Sequence, residues 1–234
     1  MEGAELYPAH IGRVLCRNPN KNRIPLMRLS PPQLLLDAKA DLGEGPAWDS
    51  ARSLLYWVDI RAGHLHVYDP KAGSDSICEM GQLLGCVAPS RNGKLLCGLK
   101  DGLATLDLDP LLECGSSTSA PFPAPAHLTV IARPEAHLPG NRCNDGKCGP
   151  DGRFLAGTMD NAEVDASGAL YSLSPNGTLK TLLTGLRISN GLAWSTDYKT
   201  FYFIDTPTRQ VMAYDYDFQT GEIANPRLAV TVPA

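Results

Sequence analysis

Apolar residues along the 234-residue chain come in short runs divided by polar turns, and the runs recur. Residues 46–70, 88–110, 149–175 and 192–217 share one pattern. Each stretch opens on an apolar residue and a polar turn: Asp49-Ser50, Asn92-Gly93, Asp151-Gly152 or Thr196-Asp197. A short apolar strand then ends close to an aspartate, Asp59, Asp101, Asp160 or Asp205. A second short strand follows, such as LHVYD or VMAYDYD, and most close on Asp-Pro or Ser-Pro. Short runs rich in Val, Tyr, Phe and Leu between Gly, Asp, Asn and Pro turns predict an all-β protein. No long window shows a helical period.

Measured from Trp48 through Pro89 and Pro150 to Trp194, the steps are 41, 61 and 44 residues. A four-stranded propeller blade takes about 40–50 residues. The long middle step holds SSTSAPFPAPA, part of a low-complexity insertion at 111–126. Units that can bury their faces only by stacking predict a radial propeller. On the repeat alone, a β-sandwich is the alternative. Residues 1–36 stand outside the repeats and are expected to form a poorly ordered N-terminal extension, with the partial propeller spanning 37–234.

Composition narrows the partners. A formal charge of −4, with 20% charged and 43% hydrophobic residues, provides no basic stripe for nucleic acid or an anionic membrane. No apolar run is long enough to span a bilayer, and the N-terminus lacks the apolar core of a secretory signal. Arg13, Arg17, Lys21, Arg23 and Arg28 could mimic a targeting segment, but Pro8, Pro19 and Pro25 interrupt any amphipathic helix there. Seven cysteines without regular spacing predict reduced thiols in a cytoplasmic protein.

Candidate chemistry lies outside the repeat pattern, in LGEGPAW (42–48), NRCNDGK (141–147) and ISNGLAW (188–194). In a propeller, equivalent loops of successive blades converge on one end of the channel. Glu44, Asn144 and Asn190 would then meet, and one carboxylate with two amide oxygens suits a hard divalent cation. Taken singly, Asn before Gly is also a common turn residue, and Glu44 could simply be solvated. Cys143 and Cys148 bracket the Asn144-Asp145-Gly146 turn, but no matching Cys or His pair follows to complete a zinc site. None of the five histidines sits with a nucleophile, and no G-x-S-x-G elbow or phosphate loop occurs. His64 and His66 alternate along a strand, either as a metal pair or on an exposed β face.

In combination, LGEGPAW, NRCNDGK, FLAGTM and ISNGLAWS resemble the senescence-marker-protein, regucalcin and gluconolactonase family, in register from about Leu42 onward. The resemblance implies a six-bladed β-propeller with one divalent metal, Ca, Zn, Mg or Mn, in its channel. It implies hydrolysis of sugar lactones such as gluconolactone, and some insect members are linked to luciferin regeneration. By motif match, Glu44, Asn144 and Asn190 would be metal ligands. Arg142 and Asn144 would contact substrate oxygens, and Glu163 would be the substrate-contacting glutamate that follows FLAGTM. NRCNDGK is then a metal-and-substrate loop with its cysteines as bystanders.

The resemblance also implies a fourth ligand and general base, an aspartate in a PDG-containing segment beyond the fourth repeat. The sequence ends at RLAVTVPA, before such a segment, so no catalytic base is named. The expectation is an incomplete propeller of about four blades, with impaired activity and open edges that favour self-association. The rival expectations are a non-catalytic calcium-binding or interaction propeller, and an inactive truncated product.

Overall fold

The computed structural model describes residues 31–114 and 121–233. Most of the expected N-terminal extension, and the centre of the insertion, lie outside them. Residues 31–38 belong to a unit of their own and carry no regular secondary structure. From Lys39 onward the chain forms a second unit.

Among its described residues that unit holds four sheets, one for each repeat. The first holds β1 (Gly43–Asp49), β2 (Leu54–Asp59), β3 (His64–Asp69) and β4 (Ser74–Glu79), with a two-residue β8 (Phe122–Pro123) parallel to β4. The second holds β5 (Leu84–Pro89), β6 (Leu95–Leu99), β7 (Gly102–Leu106) and β9 (Leu128–Ala132). The third runs from β10 (Asn141–Cys148) through β11 (Phe154–Asp160) and β12 (Gly168–Leu173) to β13 (Leu179–Leu186). The fourth runs from β14 (Ser189–Trp194) through β15 (Thr200–Asp205) and β16 (Gln210–Tyr216) to β17 (Ile223–Thr231). First strands of neighbouring sheets pack in the order β1, β5, β10, β14, the arrangement of blades around a channel. The expected all-β propeller blades are therefore present.

The polar turns have a shared mechanism. Asp49 Oδ1 accepts from the backbone N–H groups of Ala51 and Arg52, and Asp151 Oδ1 from Arg153. Asn92 Oδ1 and Asp197 Oδ1 do the same for Lys94 and Lys199. Such side chains stand in for a backbone acceptor and fix the hairpin. The strand-end aspartates do another job. Asp59 accepts from Asp41 and Leu42 N–H, and Asp205 from Arg187 and Ile188 N–H, so each clamps the chain entering its blade's first strand. Burial alone would raise the Asp59 carboxyl, but the Leu42, Asp41 and Ala62 amides outweigh it and hold it below its ordinary value.

The period of two in each strand divides its apolar residues between neighbours. Leu54, Tyr56, Val58, Leu65 and Val67 of the first blade meet Leu84, Val87, Leu95, Cys97 and Leu106 of the second. Cys86, Ala88 and Leu103 then meet Cys143, Phe154 and Ala156 of the third. Leu155, Leu170 and Leu186 pack on Leu192, Phe201, Phe203, Tyr214 and Tyr216 of the fourth. Strand β11 shows the division directly: Phe154 and Ala156 face one core, and Leu155 the other. All seven of its residues are buried. Removing a side chain such as Phe201 from such a core costs about 3–5 kcal/mol.

His64 and His66 share a face, but not as an exposed pair. His66 is buried, bonds Asp75 Oδ2 through Nδ1 at 2.5 Å, and stacks on Trp57 with ring centroids 3.6 Å apart. A short helix, α1 (Asp109–Cys114), leads into the insertion; its Asp109 pairs with Arg52 at 2.9 Å and its Leu111 enters the first core. Among the described residues, no helix is long and apolar enough to cross a membrane.

Candidate functional site

The three segments expected as channel loops are strands. LGEGPAW supplies β1, NRCNDGK β10 and ISNGLAW β14. Each breaks its pairing register at the motif: between Glu44 and Ala47, between Cys143 and Gly146, and between Asn190 and Leu192. Strand β5 breaks likewise between Leu84 and Cys86. A bulge leaves a residue out of the ladder and re-aims its side chain. Gly45 (φ 57°) and Gly191 (φ 52°), directly after Glu44 and Asn190, adopt the left-handed backbone that glycine tolerates without cost.

Arg142 and Asn144 meet directly, with Arg142 Nη1 donating to Asn144 Oδ1 at 2.8 Å. The Asn144 Nδ2 donates across to the Ser189 carbonyl of β14 at 2.9 Å, which sets Asn144 beside the Asn190 bulge. Asn190 Nδ2 donates to Thr206 Oγ1 at 3.2 Å, and its Oδ1 accepts from Gly191 N–H at 3.1 Å. Arg142 is buried at 6% exposure, with Nε on Asn161 Oδ1 at 2.8 Å and Nη1 also on the Cys143 carbonyl at 3.0 Å. All these acceptors are neutral. Burial is the largest influence on the Arg142 guanidinium and pulls its pKa down; Glu163 opposes this from a distance and Arg61 reinforces it.

Glu163 is exposed at φ 60° in the turn after β11, and its N–H donates to the Asp160 carbonyl. The structure brings it within electrostatic reach of Arg142 but not into contact. Glu44 is exposed, and among the described residues its carboxylate takes no hydrogen bond or ion pair. It is near enough to Asp145 to act on it. Burial, first, raises the Asp145 carboxyl; the Gly146 and Gly191 amides lower it and Glu44 raises it again.

Asp145, Asn161 and Ser189 belong to this network and were not singled out from the sequence. The one available signal was Asp145's place beside Asn144 in the motif. Ser189 is fully buried with no partner for its Oγ.

No group of three or more His, Cys, Asp or Glu among the described residues could hold a metal. A cation would rely on amide oxygens, and the donor set fits a hard one: the unengaged Glu44 carboxylate plus the Asn144 and Asn190 oxygens. Cys78, Cys86, Cys97, Cys143 and Cys148 are free, and Cys143 is buried in the core between the second and third blades. A cavity of about 530 Å³ lies at the other end of the strands, against the turns at Asn92, Gly152 and Gly177, away from this network.

Residues 42–234 match the family model described as the SMP-30/gluconolactonase/LRE-like region. A pentonolactonase from Haloferax volcanii is 33% identical over 190 residues, covering 81% of this chain and 58% of the relative. A solved luciferin-regenerating enzyme superposes with a TM-score of 0.72 at 32% identity, covering 82% of this chain and 61% of that one. A solved calcium-binding protein, regucalcin, from Agrobacterium tumefaciens gives a TM-score of 0.69 at 28% identity, covering 81% and 59%. The chain spans about 60% of the length of the curated relatives it matches.

Proposed function

The chain belongs to the SMP-30/gluconolactonase/LRE-like family, and on that footing we propose that it acts on sugar lactones at the mouth formed by β1, β10 and β14, with a divalent cation held by Glu44, Asn144 and Asn190. The observation that carries this reading is the bonded series Arg142–Asn144–Ser189, which joins two bulged strands of different blades at the motif residues. A lactonase among the relatives supports the reaction class, and a calcium-binding relative supports the cation. Ca, Zn, Mg and Mn are the candidate ions.

Bound there, the cation supplies Lewis-acid polarisation of the lactone carbonyl and a more acidic water. Arg142 orients substrate: three of its bonds go to neutral acceptors, so its charge stays available to sugar oxygens in a poorly hydrated setting. The Asn144 amide, locked between Arg142 and the Ser189 carbonyl, keeps its oxygen at a fixed position, with little reorganisation left for the reaction. Glu163, on its αL turn and within electrostatic reach of Arg142, would contact substrate hydroxyls. No side chain of this chain is assigned as the general base.

The test is lactone hydrolysis by the metal-stripped chain, reloaded with each ion in turn, beside an Asn144→Ala variant and with spontaneous hydrolysis subtracted. Metal-dependent turnover that falls at least about tenfold in the variant is the expected result. Folded protein with no turnover above background overturns the enzymatic reading.

A further inference from the structure

Asp145 takes no part in the reading above, yet it makes the most direct tie between the two asparagine bulges. Its Oδ1 accepts from Gly146 N–H at 2.8 Å, inside its own bulge. Its Oδ2 accepts from Gly191 N–H at 2.8 Å, inside the bulge of β14. Asn144 Nδ2 meets the Ser189 carbonyl two residues from Gly191, so β10 and β14 are joined by a pair of bonds on either side of Asn190.

Both carboxylate oxygens are engaged with backbone donors, an arrangement that anchors strands rather than one left open for coordination. The Gly191 N–H is shared, because Asn190 Oδ1 also accepts from it at the longer distance of 3.1 Å. With Asp145 absent, the Asn190 oxygen would be the remaining acceptor for that N–H and would be drawn into its own backbone. Asp145 takes the shorter of the two bonds to that donor, so the Asn190 oxygen is held by its own backbone only weakly.

We infer that Asp145 is a positioning residue: it holds the Asn190 bulge against the Asn144 bulge and so sets the separation of the two amide oxygens. Its consequence for cation binding rests on the ligand roles proposed above, whereas the strut itself does not.

The experiment uses the whole chain with Asp145→Asn, which keeps the side-chain shape but offers one acceptor for two N–H groups. Asp145→Ser, also with one acceptor, serves if the first variant does not fold. Hydrogen exchange of the metal-free proteins reads the strut: the Gly191 amide should exchange about tenfold faster in the variant, the equivalent of one charge-assisted hydrogen bond. Mn²⁺ affinity, from the free-ion electron paramagnetic resonance signal, should weaken about 10–100-fold, as for residues that orient ligands. Unchanged exchange at Gly191 overturns the inference. Lost Mn²⁺ binding with unchanged exchange overturns it too, because Asp145 would then be a ligand itself. A wild-type chain that fails to bind Mn²⁺ removes the ligand roles alone, and the exchange comparison still decides the strut.

Discussion

Ser189 Oγ lies against the backbone of Gly157, where a Cβ would stand 1.7 Å from it and 2.5 Å from the Ser189 Cβ. This contact brings β14 onto β11 and fixes how close the third and fourth blades come at the site. Gly157→Ala should therefore destabilise the chain by about 1–3 kcal/mol, the usual cost of overpacking. Urea midpoints measure it. Adding Ser189→Gly removes both opposing atoms, and the double variant should recover most of the loss. Equal midpoints for the single and double variants would show that the clash is not what excludes a side chain.

Glu44 separates function from stability. It is exposed and has no partner among the described residues, so Glu44→Gln should leave the metal-free denaturation midpoint within about 0.5 kcal/mol of wild type. Mn²⁺ affinity should fall at least about tenfold, because the proposed ligand set loses its one carboxylate. Calorimetric titration of both proteins checks this, and equal affinities would take Glu44 out of the ligand set.

Buried acids make stability sensitive to alkali. Burial raises the thiols of Cys78 and Cys143 to about 12 and that of Cys148 to about 11, and it raises Cys86 and Cys97 as well. Tyr56, Tyr171 and Tyr216 are raised by burial first, and then by the carboxylates they donate to: Asp49, Glu135 and Asp151. Folded values above the unfolded ones mean stability that is complete below the unfolded pKa and is lost as pH rises toward the folded pKa. Unfolding free energy should hold steady to about pH 8.5, then fall as unfolded thiols ionise, and fall more steeply past about pH 10 with the tyrosines. Denaturant midpoints from pH 7 to 11 would show it, and a flat profile would contradict the burial of these groups.

The hairpin at the heart of each blade was legible because two local signals agree. Asp49, Asn92, Asp151 and Asp197 mark its turn with a side-chain acceptor, and runs such as LLYWVD and TFYFID supply the strand. The first strands were read as loops because a bulge destroys the period of two, and GEGPAWD or NRCNDGKC offers the Gly, Pro, Asn and Asp expected of turns. The last strand β17 was hidden for another reason: it lies beyond the repeat pattern, Asn225-Pro226 reads as a turn, and its apolar Leu228 and Val230 are exposed rather than part of a core. Asn144 was visible through its motif. Asp145 reads locally as a turn aspartate, and only folding reveals its partner Gly191, 46 residues away.

The second blade carries the same bulge as its neighbours but places Gly85 there. A Cβ at Gly85 would stand 2.3 Å from the Cys143 carbonyl oxygen and 2.7 Å from that of Asn144. Four repeats built alike would present four equivalent side chains to the channel, and any bound molecule would meet a surface with near-rotational symmetry. Gly85 breaks that symmetry. Its bare backbone lets the Cys143 and Asn144 carbonyls of β10 come against β5, and the polar side chains at the bulges, Glu44, Asn144 and Asn190, belong to β1, β10 and β14. The absence of one methyl group is what admits that close approach of β5 and β10.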